Sequence, residues 1–414
     1  MNLYKTSLFT AISTAITLLN GFVVTKVVAV RVGPEGMAYL GQFQNTTSIL
    51  ALVATGAIAT GVIKYLAQYK DDPTKKEQII NTAFIIVLCC SLLVSTLVMA
   101  ASGYLSRAAF KTSDFWVVYF LFGLFSFMVA FNVIALSVLN GLKEIKRFTI
   151  VNITTSCTTV TLTILLSYFY GLPGLLISSS AASVVVFFLN IYFLKKTGIK
   201  WLPDFKKWDK SIFKMLLGFS MMAVVSGLVM PAMQLLIRNK IINWSSIDDA
   251  GYWQAVTKIS DYYLTFITTV LGVYYLPRLS EINNRLELRS EILKGYKIVL
   301  PVVALIAFLI WLFRHYIIII LFTPAFNAME QLFLFQLIGD FLKIGSWLLA
   351  FLMLAKALTK TYIITEIMFS TGLVLLSYFF IDRFGIIGAT YAFAINYGIY
   401  WVVMWLLMKK YISK

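Results

Sequence analysis

The chain has 414 residues, of which 60% are hydrophobic and 13% charged, and its net charge is +17. Soluble domains carry about 25% charged residues, so a water-soluble protein of this size has nowhere to hide that much apolar surface. Apolar stretches long enough to cross a ~30 Å hydrocarbon core recur down the chain and the short alternating strands of an outer-membrane barrel do not, which predicts an all-α integral membrane protein.

The first apolar run, residues 7–31, is too long for a secretion signal, and no small-residue cleavage site follows it. It reads as a retained first span with Lys26 near its outer end. The second, 37–66, carries Gln42, Asn45, Thr46 and Thr47 and reaches Lys64 at its inner end. Spans at 79–101, 115–140, 148–170 and 174–195 complete a first set of six. Cys89, Cys90 and Cys157 all fall inside apolar runs and are expected to be buried packing residues; no His/Cys cluster is present to bind a metal. The hydroxyl-rich run TTSCTTVTLT (154–163) suits close helix packing and hydroxyls that bond back to their own helix. After a basic loop, 197–211, a second set follows at 212–237, 251–277, 296–316, 330–356, 361–381 and 386–408. The stretch SMMAVVSGLVMPAMQLL (220–236) of span 7 has no charge, only Ser220, Ser226, Gln234 and a kink at Pro231. The only histidine, His315, stands beside Arg314 at a span end and reads as interfacial.

With the amino terminus inside, 25 of the 35 Lys and Arg residues fall on the cytoplasmic side or its helix ends. The positive-inside rule therefore puts both termini in the cytoplasm. It also accounts for the net charge, and no basic domain outside the membrane exists to hold a nucleic acid.

The basic loop separates an N-lobe, 1–196, from a C-lobe, 212–414, with 197–211 as cytoplasmic linker. The lobes end alike. Gly171 matches Gly385, Gly174 matches Gly388, and Lys195-Lys196 match Lys409-Lys410, each at an offset of 214. Two six-helix lobes of about 12 spans, related as a parallel pseudo-two-fold repeat, are expected. Repeats of this kind place a substrate site between lobes and work by alternating access.

Charge inside a bilayer costs at least ~2.5–3.5 kcal/mol per residue. Lys26 has no acidic partner at helical spacing; it either snorkels to the outer interface or serves a ligand. Lys258 and Asp261 on span 8, and Asp340 and Lys343 on span 10, are i,i+3 pairs. Each pair either neutralises itself on one helix face or lines a wet cavity whose cations exchange carboxylate for phosphate, and Asp340–Lys343 is a candidate coupling pair. Gln42, Asn45 and Gln254 are candidates to line the same cavity, while Glu366 reads as interfacial or helix-pairing.

RVGPEGMAYLGQFQ (31–44) resembles the Gly-Pro-x-Gly turn of the polysaccharide-transport group of the multidrug/oligosaccharidyl-lipid/polysaccharide exporter superfamily. VIKYLAQYKDDP (62–73), YWQAVTKISDYYLTFIT (252–268), VYYLPRLSEI (273–282) and LFLFQLIGDFLKIG (332–345) are similar to the flippases of O-antigen and enterobacterial common antigen repeat units. The resemblance covers residues 1 to about 410. It implies a V-shaped pair of lobes around a basic cavity lined by spans 1, 2, 7 and 8. By position it nominates Lys26, Lys64 and Lys258 for the diphosphate of an undecaprenyl-diphosphate-linked oligosaccharide. It implies membrane lipid, a glycan polymerase and a chain-length regulator as partners, and no cofactor. A cation-coupled multidrug exporter of the same superfamily, using Asp261 and Asp340, is the alternative. A membrane-bound glycan polymerase or ligase needs an extracytoplasmic catalytic surface; the outer loops, the longest being 102–114 and 238–250, offer no nucleophile–base or metal constellation.

Overall fold

The computed structural model describes residues 3–199, 202–282, 284–356 and 358–412. Backbone polar groups have no water partners in hydrocarbon, so a spanning chain satisfies them within helices. Fifteen α-helices are found among the described residues: α1 (Leu3–Arg31), α2 (Gly33–Ala54), α3 (Ala59–Gln68), α4 (Pro73–Ala100), α5 (Ser102–Phe110), α6 (Trp116–Gly141), α7 (Ile145–Lys196), α8 (Lys210–Trp244), α9 (Ile247–Val270), α10 (Leu276–Glu281), α11 (Arg285–Leu312), α12 (Arg314–Leu321), α13 (Phe333–Ala355), α14 (Thr359–Phe384) and α15 (Ile387–Ile412).

Among the described residues, eight stretches are long and apolar enough to cross a membrane, and two bent pairs raise the number to ten: α2 with α3, bent by 47°, and the two parts of α8, bent by 52°. The 52 residues of α7 contain a break at Gly171 (φ 58, ψ −134), so two helical segments meet there. α9 is not among the apolar stretches, because Lys258 and Asp261 lie in its middle.

The chain forms two compact units. Unit 1 comprises residues 1–32 and 39–231, and unit 2 residues 33–38 and 232–414. In unit 1, α4, α6 and α7 pack on small residues and aromatic rings. A Cβ on Gly123 would come within 2.7 Å of Met99 and 3.2 Å of the Ser95 carbonyl. Close approach lets the Ser95 hydroxyl donate to the Gly123 carbonyl at 2.7 Å. Phe131 stacks on Phe84 at 5.2 Å and meets Phe187 edge-on at 4.8 Å. Asn132 donates to the Ser183 carbonyl and accepts from Asn190, so two buried amides tie α6 to α7.

The basic linker is built onto unit 1. Asn81 of α4 donates to the carbonyls of Asp204 (2.9 Å) and Lys207 (3.3 Å) and accepts from the Asp204 amide at 2.7 Å. Lys207 donates to Glu77 at 2.8 Å, and that bond raises the lysine's pKa.

Unit 2 is held by an apolar core that joins α9–α11 to α13 and α15, including Leu264, Leu279, Ile292, Ile344, Leu348 and Met404. Two expectations are corrected here. The outer loop placed at 238–250 is helical to Trp244, since α8 runs well past residue 237. Cys89 and Cys157 are exposed and Cys90 half-buried, because apolar runs in a membrane helix clothe the lipid-facing side as well as the core. His315 is exposed and shares Glu330 with Arg314, at 3.7 and 3.0 Å. The hydroxyls of Thr155, Thr159 and Thr161 bond back one turn, to Val151, Thr155 and Cys157.

The lobe ends share a local geometry. Gly171 and Gly385 both have positive φ (58° and 67°), which a side chain would strain. A Cβ on Gly174 would lie 2.1 Å from the Leu166 carbonyl oxygen, and one on Gly388 2.2 Å from that of Phe380. Two helices can reverse this tightly only with glycine at both positions.

Candidate functional site

The polar centre of unit 2 forms where α8, α9 and α13 carry the residues that apolar helices least tolerate. Arg238 of α8 is fully buried. Its guanidinium donates to the side-chain carbonyl of Gln254 and lies 5.5 Å from the centre of the Trp253 ring, so α9 supplies both an acceptor and a π face. One turn further, Lys258 is half-buried and lies within electrostatic reach of both Asp261 and Arg238. Two basic side chains thus lie within electrostatic reach of each other on adjoining helices of unit 2.

The second part of the centre is Asp340, also fully buried. Its Oδ2 accepts from Ser260 at 2.6 Å and Tyr263 at 2.7 Å, and its Oδ1 from the Gln336 amide at 3.3 Å. Lys343 turns its ammonium to the rings of Trp347 (5.0 Å), Tyr397 (5.5 Å) and Phe393 (5.8 Å). Neither i,i+3 pair closes as an ion pair within 4.0 Å among the described residues. The correction has a physical reason: the short Asp340 side chain finds hydroxyl donors on α9, and Lys343 finds aromatic faces. Asp261 is exposed and Glu366 half-buried.

In unit 1 the nominated residues are spread. Lys26 is half-buried on α1, and Lys64 is exposed on α3 with its ammonium 5.2 Å from the Tyr65 ring. Gln42 is fully buried and donates to the Ala109 carbonyl at 3.3 Å, tying α2 to the end of α5. That contact is structural, and it corrects the expectation that Gln42 lines a cavity. Asn45 is half-buried on the same helix.

A family model described as "Polysaccharide biosynthesis protein" matches residues 3–283. The Lipid III flippases of Escherichia coli K12 and Shigella flexneri are each 32% identical over 402 residues, covering 97% of this chain and 96% of theirs. The chain belongs to the polysaccharide biosynthesis protein family.

Among solved structures, the inward-facing form of a MATE-family multidrug resistance transporter of the MOP superfamily superposes with a TM-score of 0.81. The two are 16% identical, with 97% of this chain and 94% of that one covered. A MOP superfamily transporter from Pyrococcus furiosus gives 0.65 at 15% identity, with 97% and 95% covered. The fold of this polysaccharide biosynthesis protein is therefore that of a multi-pass, all-helical transporter.

Of the residues nominated from sequence, unit 2 brings together Gln254 and Lys258, and separately Asp340 and Lys343. Reasoning from sequence missed Arg238, Trp253, Ser260, Tyr263 and Gln336. Arg238 was assigned to a loop because the apolar run ends at Ile237. The signal for it was present, since RNKIINW continues a helical register to Trp244 without glycine or proline. The side chains of Ser220 and Ser226 on α8 lie outside the described residues.

Proposed function

We propose that this chain is a flippase that carries an undecaprenyl-diphosphate-linked oligosaccharide from the cytoplasmic to the periplasmic leaflet by alternating access. The repeat unit is that of O-antigen or enterobacterial common antigen, the membrane is the bacterial inner membrane, and both termini face the cytoplasm. The relatives named Lipid III flippase, matching nearly end to end, support this reading. The observation that carries it in the structure is that Arg238, fully buried, and Lys258 lie within electrostatic reach of each other on adjoining helices of unit 2.

Two cations held near each other in a low-dielectric setting repel, and an anion bound at both relieves that repulsion. A diphosphate matches that demand in charge. Arg238 presents a planar fork of donors, while Lys258 is a point charge on a flexible stem that releases its ligand more readily. Lys26 and Lys64 are proposed as phosphate contacts of unit 1, and Asn45 and Gln254 as contacts to the glycan, each within its own unit. Moving a dianion outward across an inside-negative membrane is favoured by about 2 × 2.3 kcal/mol per 100 mV. A glycan polymerase and a chain-length regulator are proposed as partners that consume the product.

The test is complementation of a bacterium lacking its own flippase, scoring surface glycan and the leaflet in which lipid-linked oligosaccharide accumulates. Wild type restores surface glycan. Lys258→Gln and Arg238→Gln, inserted at wild-type level, leave the lipid-linked sugar inside, and Lys26→Gln weakens export. Unimpaired export in both Lys258→Gln and Arg238→Gln sinks the basic-site reading. Drug efflux without any glycan phenotype replaces it with the multidrug exporter.

A further inference from the structure

The flippase reading leaves the basic linker without a task of its own. From Lys195 to Lys214 the sequence carries seven lysines against two aspartates. Both aspartates are turned to backbone amides. Asp204 accepts from the Lys206 amide at 3.0 Å, and Asp209 accepts from those of Ser211 and Ile212 at 2.8 and 3.1 Å, capping the start of α8. Lys207 is paired with Glu77. Lys195, Lys196, Lys206, Lys210 and Lys214 are all exposed and make no ion pair among the described residues.

An independent observation lies among these cations. Leu202 is 66% exposed, Phe205 59% and Trp208 41%. Single exposed apolar side chains need no explanation, but here three stand within one short segment with lysines between and after them. The positive-inside rule accounts for the lysines and for none of the three apolar side chains.

The level at which the segment is held separates the kinds of partner. Asn81 ties the carbonyls of Asp204 and Lys207 to α4. It stands two positions into the apolar run that starts at Ile79, past the charged first turns with Lys75, Lys76 and Glu77. The linker is therefore fastened level with the edge of the hydrocarbon, where aromatic rings settle among headgroups and lysines reach phosphate. A soluble partner would meet a segment projecting away from that edge. The cavity beneath the linker, of about 430 Å3, is lined by Lys76 and Lys207 together with Glu77 and Asp204. Its charges balance, so the excess positive charge belongs to the exposed lysines outside it.

We propose that the linker is a docking strap for the anionic phospholipids of the cytoplasmic leaflet. Its exposed lysines meet the headgroup phosphates, and Leu202, Phe205 and Trp208 enter the interface beside the acyl chains. The proposal rests on the cytoplasmic placement of the linker given above and goes beyond the substrate reading. The negative potential of that leaflet attracts each lysine near its surface and fades within a Debye length, so the contact weakens in high salt.

The experiment uses the purified full chain in lipid nanodiscs, where both faces are accessible whatever the topology. Cleavage of the linker is followed with trypsin, and with chymotrypsin for variants that lose lysines. Wild type is cleaved at least about tenfold more slowly in discs containing phosphatidylglycerol than in discs of phosphatidylcholine alone, and high salt removes the difference. The double variant Lys206→Gln, Lys210→Gln lowers that ratio several-fold, and so does Leu202→Ser, Phe205→Ser. A wild-type ratio of one overturns the proposal, as does an undiminished ratio in both double variants. Protection that appears only when a soluble protein is added also overturns it and assigns the surface to a protein. Because protection in discs needs no substrate, a chain that flips no lipid-linked sugar yet shows the lipid-dependent ratio keeps the strap and loses the flippase reading. Cleavage of the linker by trypsin outside intact spheroplasts overturns the cytoplasmic placement and the leaflet assigned here.

Discussion

Asn81 joins the linker to unit 1 with a single side chain, so its removal has a calculable effect. Asn81→Ala deletes two short hydrogen bonds and one longer one, from a residue only 8% exposed. At about 0.5–1.5 kcal/mol net for each bond, and giving the 3.3 Å contact the lower value, the linker loses about 2–3 kcal/mol of local stability. Because about 1.4 kcal/mol corresponds to a tenfold change, the detached linker becomes roughly 30- to 140-fold more populated. Lys206, Lys207 and Lys210 lie on that segment, so trypsin reports the change directly. Where opening is fast compared with cleavage, the nicking rate follows the open population and rises by the same factor, yielding two fragments that meet near residue 207. Glu77→Ala removes only an exposed ion pair and accelerates nicking far less. Because its bond to Glu77 raises the Lys207 pKa, that contact is intact at neutral pH and on the alkaline side is lost as pH climbs through the raised value. An Asn81→Ala protein that inserts normally and is nicked at the wild-type rate refutes the clamp.

Further outcomes follow from packing. Gly388→Ala and Gly174→Ala each drive a methyl into a carbonyl oxygen; each costs about 1–3 kcal/mol of overpacking, seen as a lower thermal unfolding midpoint in detergent. Phe131→Ala opens a cavity among Phe84, Phe127 and Phe187 and costs about 3–5 kcal/mol by the same measurement. Ser95→Ala loses one interhelical hydrogen bond, worth about 0.6 kcal/mol in a membrane, so its midpoint falls much less than that of Phe131→Ala.

Much of the fold was legible because hydrocarbon imposes a single rule, helices of spanning length, and apolar runs report it. Helical backbone covers most of each expected span, with a break at 55–58 in the second and at Phe313 in the ninth. The runs could not show where helices outlast their apolar stretch. At Ile237 the hydropathy falls and the helix does not, so Arg238 was read as loop. Side-chain choices were legible where only one partner was in reach, as for the threonines of 154–163, which bond back to their own helix. They were illegible where partners come from distant segments. Asp340 lies three residues from Lys343, but its donors Ser260 and Tyr263 stand 80 and 77 positions away. Gln42 likewise finds Ala109 across 67 residues. Spacing along one helix does not encode a choice made between helices.

The polarity of α9 bears on how the protein is made. On insertion scales Lys258 and Asp261 each cost about 2.5–3.5 kcal/mol at the helix centre, and α9 alone lacks the apolar surplus to offset them. α9 must enter the bilayer in company, beside α8 with its acceptor and ring for Arg238. Asp340, which engages Ser260 and Tyr263, is translated 80 residues after Ser260. Until α13 emerges from the ribosome, those hydroxyls wait without their final neighbour. Unit 2 therefore matures late, and a nascent chain stalled after α11 is a target for membrane quality-control proteases, whereas one stalled after α7 already holds most of unit 1.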